Sequence, residues 1–182
     1  ISTNCTCTEF VGTAVLDTIG LVISGVDDSL LKKMNVGTQY HCLGLFSSRT
    51  GAAGQITAID DAVKATNTEV LSIELPRDTK GWGGHGNYIV LGGNDVSDVR
   101  HAISLALELT NKYAGEVYIS ESGHLEFAFS ASAGPAIHKA FGTPLGEAFG
   151  FMAGSPAAIG LVMADNAVKS AAVSITQYMT PN

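Results

Sequence analysis

The glycine-rich stretch 77–87 has the residue types best suited to binding chemistry. It reads Arg-Asp-Thr-Lys-Gly-Trp-Gly-Gly-His-Gly-Asn, with four glycines in six positions. Glycine lets the backbone approach a ligand or a symmetry mate closely. Free N–H groups beside Arg77, Lys80 and His85 suit small polar or anionic solutes. A phosphate-binding enzyme loop is a rival interpretation, but the G-x-x-x-x-G-K-[ST] spacing is absent and a strand follows. A flexible hairpin connection is the plain alternative.

The sequence contains no strong candidate for a set of catalytic residues. His41, His101 and His138 are scattered, and neither a G-x-S-x-G elbow nor an H-E-x-x-H pair occurs. His124 and Glu126 share one face of a predicted strand and could act as an acid–base pair. A structural polar pair in a contact between subunits is the favoured alternative. We therefore assign no catalytic residue and predict that the chain is not an enzyme.

The cysteines do not indicate a disulfide framework or a metal site. Cys5 and Cys7 form a C-x-C pair in a polar tail, but no second pair completes a metal site. Cys42 lies in an apolar strand pattern and is predicted to be a small core residue. Three cysteines without framework spacing argue against a disulfide scaffold. We expect no metal and no cofactor.

Composition excludes two classes of partner. The formal net charge is −7 and no cluster of Lys and Arg occurs, which argues against nucleic-acid binding. No apolar run approaches the roughly 20 residues of a membrane helix. The apolar run Ala157–Ala164 is shorter and is predicted to be a buried element. Only 15% of residues are charged, which fits a protein that hides surface in subunit contacts but also fits a compact enzyme.

An internal repeat organises the chain. Residues 43–46 (Leu-Gly-Leu-Phe) correspond to 149–152 (Phe-Gly-Phe-Met) at a shift of 106, which also carries Leu21 to Phe127. Residues 61–64 (Asp-Ala-Val-Lys) correspond to 166–169 (Asn-Ala-Val-Lys) at a shift of 105. We predict a flexible tail over 1–8, a first copy over 9–113 and a second copy over 115–182. The second copy has no counterpart of 78–112, so it is predicted to be incomplete and to leave apolar surface open.

Strands and helices are mixed within one copy. Alternating and helical periodicities predict the order strand, short helix, strand, helix, strand, glycine-rich loop, strand, helix. Asp95 is a candidate N-cap of the last helix, and Asp27 or Asp28 lies near the start of the short helix. One face of the last helix is predicted to be formed by Val99, Ala102, Ile103, Ala106, Leu107 and Thr110. The fold class is therefore α+β, with an antiparallel sheet and flanking helices. The predicted elements are Ile19–Ser24, Asp27–Asn35, His41–Ser47, Gly51–Thr66, Glu69–Leu75, Asn87–Gly92 and Val96–Asn111.

Several strings resemble one known family. Leu43-Gly44-Leu45, the helix ending at 60–65 (Asp-Asp-Ala-Val-Lys-Ala), 70–73 (Val-Leu-Ser-Ile) and 92–99 (Gly-Gly-Asn-Asp-Val-Ser-Asp-Val) resemble the bacterial microcompartment shell domain. The element order is similar to its circularly permuted form. Two permuted copies in one chain resemble the trimeric shell proteins of propanediol, ethanol and ethanolamine utilisation compartments.

The resemblance implies a homotrimer with pseudo-sixfold shape that tiles into a layer with other shell proteins, inside the cytoplasm. In the family the loop at 77–87 faces a pore, which small polar metabolites would cross. The candidate pore residues are Arg77, Asp78, Lys80, Gly81, Gly83, Gly84, His85 and Gly86. In the family, the position that Lys64 and Lys169 occupy lies at the edge of a tile, and Asn67 follows Lys64 by three residues. The plain alternative is that each lysine lies near a helix C-terminus, where the helix dipole favours a positive charge.

Two rival functions remain open from the sequence. The chain could be a regulatory protein that binds a small metabolite on the same repeat, which predicts saturable ligand binding and no sheets. It could also be an enzyme that uses His85 and Lys80, which predicts loss of activity on mutation of either. The leading prediction is a structural shell protein with selective permeability.

Overall fold

The structure is a computed structural model that describes residues 8–75, 86–114 and 117–179, the side chain of Ile119 aside. Cys5, Cys7 and the loop residues Arg77 to His85 lie outside the described residues. The described chain contains eight strands and five helices. The strands are β1 (Thr8–Ala14), β2 (Thr18–Ser24), β3 (Cys42–Ser48), β4 (Glu69–Glu74), β5 (Asn87–Gly93), β6 (Val117–Ser120), β7 (Gly123–Ser130) and β8 (Phe149–Ser155). The helices are α1 (Asp28–Lys33), α2 (Ala53–Lys64), α3 (Val96–Tyr113), α4 (Pro135–Phe141) and α5 (Ala157–Ser170).

The strands form two separate antiparallel sheets. The first has the order β1-β2-β3-β5-β4, and the second has the order β6-β7-β8. The element order strand, strand, helix, strand, helix therefore occurs twice, from β1 to α2 and again from β6 to α5. We call β1 to α3 the first unit and β6 to α5 the second unit. The α+β class with antiparallel sheets is confirmed, while the division at residues 113 and 115 stays a prediction.

The predicted elements of the first unit are present within a few residues of their expected bounds. Strand β1 was not predicted, because its residues Thr-Glu-Phe-Val-Gly-Thr-Ala alternate only weakly and five of the seven are polar or small. It pairs with β2 across a tight turn in which Leu16 and Asp17 have positive φ. Its Glu9 carboxylate accepts a hydrogen bond from Arg100 Nε of α3 at 2.7 Å.

Helices α1 and α3 begin at aspartates, as their sequences predict. Asp27 and Asp95 each accept the backbone N–H two residues ahead, at 2.8 Å and 2.7 Å. Such caps satisfy N–H groups that a helix leaves unpaired at its start. The buried face of α3 is the predicted one, formed by Val99, Ala102, Ile103, Ala106, Leu107 and Thr110.

Glycines let α3 lie close to the first sheet. A Cβ at Gly20 would lie 2.5 Å from Ile103, and one at Gly44 would lie 2.9 Å from the same side chain. No real Cβ fits at such distances, so the helix seats its isoleucine directly on the backbone of β2 and β3. Cys42 is buried beside this core, as predicted.

The register of β7 corrects one repeat assignment. Leu21 pairs with Leu45, whereas Phe127 pairs with Met152, which is the counterpart of Phe46. The structural counterpart of Leu21 is therefore Ala128, and the predicted match of Leu21 to Phe127 is wrong by one residue. Because strand side chains alternate between faces, this offset turns Phe127 and Phe129 toward the opposite face of the sheet.

Helix α5 corrects a second prediction. The run Ala157–Ala164 was expected to be buried, yet none of the fourteen residues of α5 is buried. Leu161 and Val162 are 57% and 59% exposed. In the first unit the equivalent helix, α2, is covered by α3. The second unit has no such helix among the described residues, and its apolar surface is open as predicted.

Candidate functional site

Helix α2 joins the two units. One side of it contacts α3 of the first unit, and the other contacts α4 and β7 of the second. As a result ten of its twelve residues are buried, including the polar residues Gln55 and Asp60. A surface helix buries only one stripe, so α2 belongs to two cores at once. We call its contact with α4, β7 and the segment before α4 the intrachain joint.

The first polar contact of the intrachain joint lies at the start of α2. Residue Ala52, at the N-cap, has no side chain that can accept the free N–H groups of the first turn. Glu126 Oε2 from β7 accepts them instead, from Ala52 N at 3.0 Å and Ala53 N at 3.2 Å. The carboxylate is fully buried, and its negative charge suits the positive end of the helix dipole.

His124 lies beside this contact and is buried as well. Its Nε2 is 3.5 Å from Glu126 Oε1, and among the described residues neither ring nitrogen has a hydrogen-bond partner. The sequence predicted a polar pair in a contact between subunits. The structure places the pair inside one chain, between its two units, because this face of β7 packs on α2.

The second polar contact runs in the opposite direction. The N-cap of helix α4 is Gly134, which again has no side chain to accept the free N–H groups. Asp60 of α2 is 0% exposed and accepts three backbone N–H groups there. The distances are 2.8 Å to Gly134 N, 2.9 Å to Ala136 N and 3.1 Å to Ile137 N. Each unit therefore caps a helix of the other.

Lys64 completes the intrachain joint. Its ammonium lies 2.8 Å from Asp60 and 3.2 Å from Asp61, and it donates to the Ser132 carbonyl at 2.5 Å. Burial disfavours the charged ammonium, but the hydrogen bonds and charges of Asp60 and Asp61 outweigh it and raise the pKa of Lys64. A Cβ at Gly134 would lie 2.3 Å from Lys64 Cε. A side chain at this position would have to displace the end of Lys64, which Asp60, Asp61 and the Ser132 carbonyl hold in place.

Tyr113 at the end of α3 extends the network. Its hydroxyl donates to Asp61 Oδ2 at 2.5 Å. Burial, together with the hydrogen bond and the negative charge of Asp61, raises the pKa of Tyr113 to about 12. Asp61 thus contacts both an ammonium and a phenol, and it links α3 to the intrachain joint.

The predicted tile-edge residues occupy unequal environments. Lys64 is one-third exposed and held by three groups, whereas Lys169 is 69% exposed and contacts only Asp165, at 2.6 Å, among the described residues. Asn67 is exposed in the turn after α2. Their role at a tile edge stays a prediction.

Only the end of the candidate pore loop is described. Gly86 is buried with φ +30°, and a Cβ there would lie 2.6 Å from the Ser48 carbonyl. This position thus requires glycine for local packing. Arg77, Asp78, Lys80, Gly81, Gly83, Gly84 and His85 lie outside the described residues, so their role in a pore stays a prediction.

The described residues were also searched for a metal site, a membrane-spanning helix and a cavity. No cluster of three or more His, Cys, Asp and Glu side chains there is arranged to hold a metal ion. None of the helices in these ranges combines the length and the apolar character needed to cross a membrane. A shallow depression of about 220 Å³ lies beside β6 and β7, with Tyr118, Leu125 and Ile159 in its wall.

Sequence reasoning missed Asp60 and Glu126 as the residues that hold the intrachain joint. A partial signal was present: a carboxylate stands at a core position of α2, and the starts of α2 and α4 lack a capping side chain. Both facts indicate that the buried carboxylate and the uncapped helix starts have hydrogen-bond partners from elsewhere in the fold.

Comparison with known proteins defines the class. The BMC domain family model matches residues 42–122. A shell protein of Citrobacter freundii, "Bacterial microcompartment shell protein PduB", is 53% identical over 178 residues, 98% of this chain. The chain spans 66% of the length of that relative.

Two solved structures are similar over nearly the whole chain. EtuB from Clostridium kluyveri has a TM-score of 0.90 and 51% identity, covering 96% of this chain and 76% of that one. A trimeric bacterial microcompartment shell protein PduB has a TM-score of 0.83 and 49% identity, covering 90% and 72%. The chain therefore belongs to the bacterial microcompartment shell proteins. The resemblance seen in the sequence is confirmed.

Proposed function

We propose that the chain is a structural, non-catalytic component of a bacterial microcompartment wall, assembled as a homotrimer with a pseudo-sixfold outline. The observation that carries the proposal is the intrachain joint, which packs two similar units side by side through α2. A similar solved protein is described as trimeric. Sedimentation at micromolar concentration should give three chains per particle, and a stable monomer would refute the proposal.

Closed rotational symmetry follows from the repeat. The two units are similar but not identical, and each contacts the other through different surfaces, which is a head-to-tail arrangement. Head-to-tail contacts close into rings when the rotation allows it. If a contact between chains repeats the geometry within the chain, three chains place six units around one axis.

For the layer formed by these trimers, we keep Lys64, Asn67 and Lys169 as candidate edge contacts. A contact repeated at every tile multiplies a small loss across the layer. Lys169→Ala removes an exposed ammonium, and Lys64→Ala also disturbs the intrachain joint. Electron microscopy should show fewer or disordered sheets for both variants. Unchanged sheets in the double variant would remove the edge assignment.

Passage of small metabolites is proposed for the loop at 77–86. Narrow openings lined by backbone groups select by size and by hydrogen bonding, and passage requires weak binding. Replacing Gly83 and Gly84 with leucine should reduce permeation of small alcohols and aldehydes while sedimentation still gives trimers. Unchanged permeation would refute the pore assignment. The alternative of a metabolite-binding regulatory protein gains no support from the comparisons.

A further inference from the structure

Buried polar atoms without a protein partner are concentrated at one end of the intrachain joint. Among the described residues, six buried side-chain nitrogen and oxygen atoms lack such a partner, and five of them belong to this end. The five are Gln55 Oε1, Asn87 Oδ1, Glu126 Oε1 and both ring nitrogens of His124. Buried polar groups nearly always bond to protein or to ordered water. A concentration of five therefore indicates a shared partner at this place.

The four side chains lie around the first turn of α2. Gln55 belongs to that turn, and Asn87 donates to the Gly51 carbonyl just before it, at 3.3 Å. Glu126 accepts two N–H groups of the turn through Oε2, while its Oε1 lies 3.5 Å from His124 Nε2. All four residues are buried. This end of the joint is thus polar and closed to bulk solvent.

The His124 ring lacks a partner in every protonation state. If Nε2 carries a hydrogen, Glu126 Oε1 can accept it, and Nδ1 is left as an acceptor without a donor. If Nδ1 carries a hydrogen, that N–H has no acceptor among the described residues. The missing partner of Nδ1 must therefore donate in one state and accept in the other. A hydroxyl group does both, whereas a metal ion or an anion does only one.

We infer that the start of α2 holds a buried water molecule, hydrogen-bonded to His124 Nδ1. Water and a small alcohol offer the same hydroxyl, but the side chain of His124 is 0% exposed. A solute larger than water would have to open the joint to reach it. Buried waters typically make about three hydrogen bonds, and the free acceptors of Gln55 and Asn87 belong to the same end of the joint. The four residues come from one chain, so the inference is independent of the proposed trimer.

A crystal structure at high resolution tests the inference, with crystals grown without alcohol. It should show a water molecule at about 2.7–3.2 Å from His124 Nδ1. His124→Phe keeps a ring of similar size and removes both nitrogens, so the water should be absent from that variant. His138→Phe is the matched control. His138 Nδ1 already has the Thr143 carbonyl at 2.9 Å, and this change should leave the water beside His124 in place.

A second crystal, soaked in ethanol, separates the two sources of the hydroxyl. Density that keeps the size of one water supports the inference, and density that grows to fit ethanol would overturn the assignment to water. A dry site in the wild-type crystal, or a protein group bonded to Nδ1, would overturn the inference altogether. Nuclear Overhauser effects from water to the His124 ring give the same decision in solution should His124→Phe fail to fold. A chain that sediments as a monomer would refute the proposed function and leave this test unchanged.

Discussion

Replacing Asp60 with alanine should destabilise the chain by about 3–5 kcal/mol. The side chain is fully buried and accepts three backbone N–H groups of α4 at 2.8–3.1 Å, besides its ion pair with Lys64. Alanine leaves those amides without a protein acceptor, at a cost of about 1–3 kcal/mol for each one that water cannot reach. Loss of the ion pair with Lys64 adds little to this cost, because the Lys64 side chain is 33% exposed and keeps Asp61 and the Ser132 carbonyl as partners.

Urea unfolding at fixed protomer concentration measures this loss, since oligomers stabilise by mass action. Asp61→Asn is the matched control, because Asp61 also contacts Lys64 but is 35% exposed; its loss should stay near 1 kcal/mol. Hydrogen exchange at Ala136 and Ile137 adds a local readout and should accelerate in Asp60→Ala alone. A loss under about 1 kcal/mol with unchanged exchange would refute the capping role.

Three further predictions follow from the same contacts. Ile56→Ala should lower the free energy of unfolding by about 2–5 kcal/mol, because Ile56 is 2% exposed. Leu161→Ala, at the equivalent position of the repeat, should change it by no more than about 0.5 kcal/mol, because Leu161 is 57% exposed in the chain. Urea unfolding measures both changes. Gly134→Ala should cost about 1–3 kcal/mol by the same measurement, because its Cβ would overlap Lys64 Cε. Stability should fall as pH rises from about 10 through the pKa of Tyr113 near 12, because the folded state retains a phenolic proton that the unfolded state has lost; Tyr113→Phe should flatten that decline in a thermal unfolding series.

The fold was predictable where a single periodic pattern decides an element. The buried face of α3 and the caps at Asp27 and Asp95 follow from local spacing and local side chains. Strand β1 has a weak pattern, and its place is decided by pairing with β2. The register of β7 was missed because matching similar residues aligns the two copies only to within one residue. The hydrogen bonds between strands decide the register, and the register decides which side chains point to each face of the sheet.

The candidate site was less predictable, because its contacts are far apart in sequence. Glu126 lies 74 positions from Ala52, and Asp60 lies 74 positions from Gly134. No local rule connects a carboxylate to a helix start at that distance. The burial of α5 was predicted from its apolar composition, but burial depends on a covering element, and composition does not supply one.

The double packing of α2 has a consequence for synthesis on the ribosome. The first unit emerges before the second, yet α2 needs Glu126 at its start and needs the amides of Ala136 and Ile137 around Asp60. Synthesis of the 23 residues from position 115 to position 137 takes roughly 1–5 s at typical elongation rates. During that interval the nascent first unit presents an apolar helix flank in which the Asp60 carboxylate has Lys64 as a partner but lacks the amides of α4. Burying that carboxylate without those amides is costly, so this flank of α2 matches the second unit of its own chain better than a surface that offers no N–H groups.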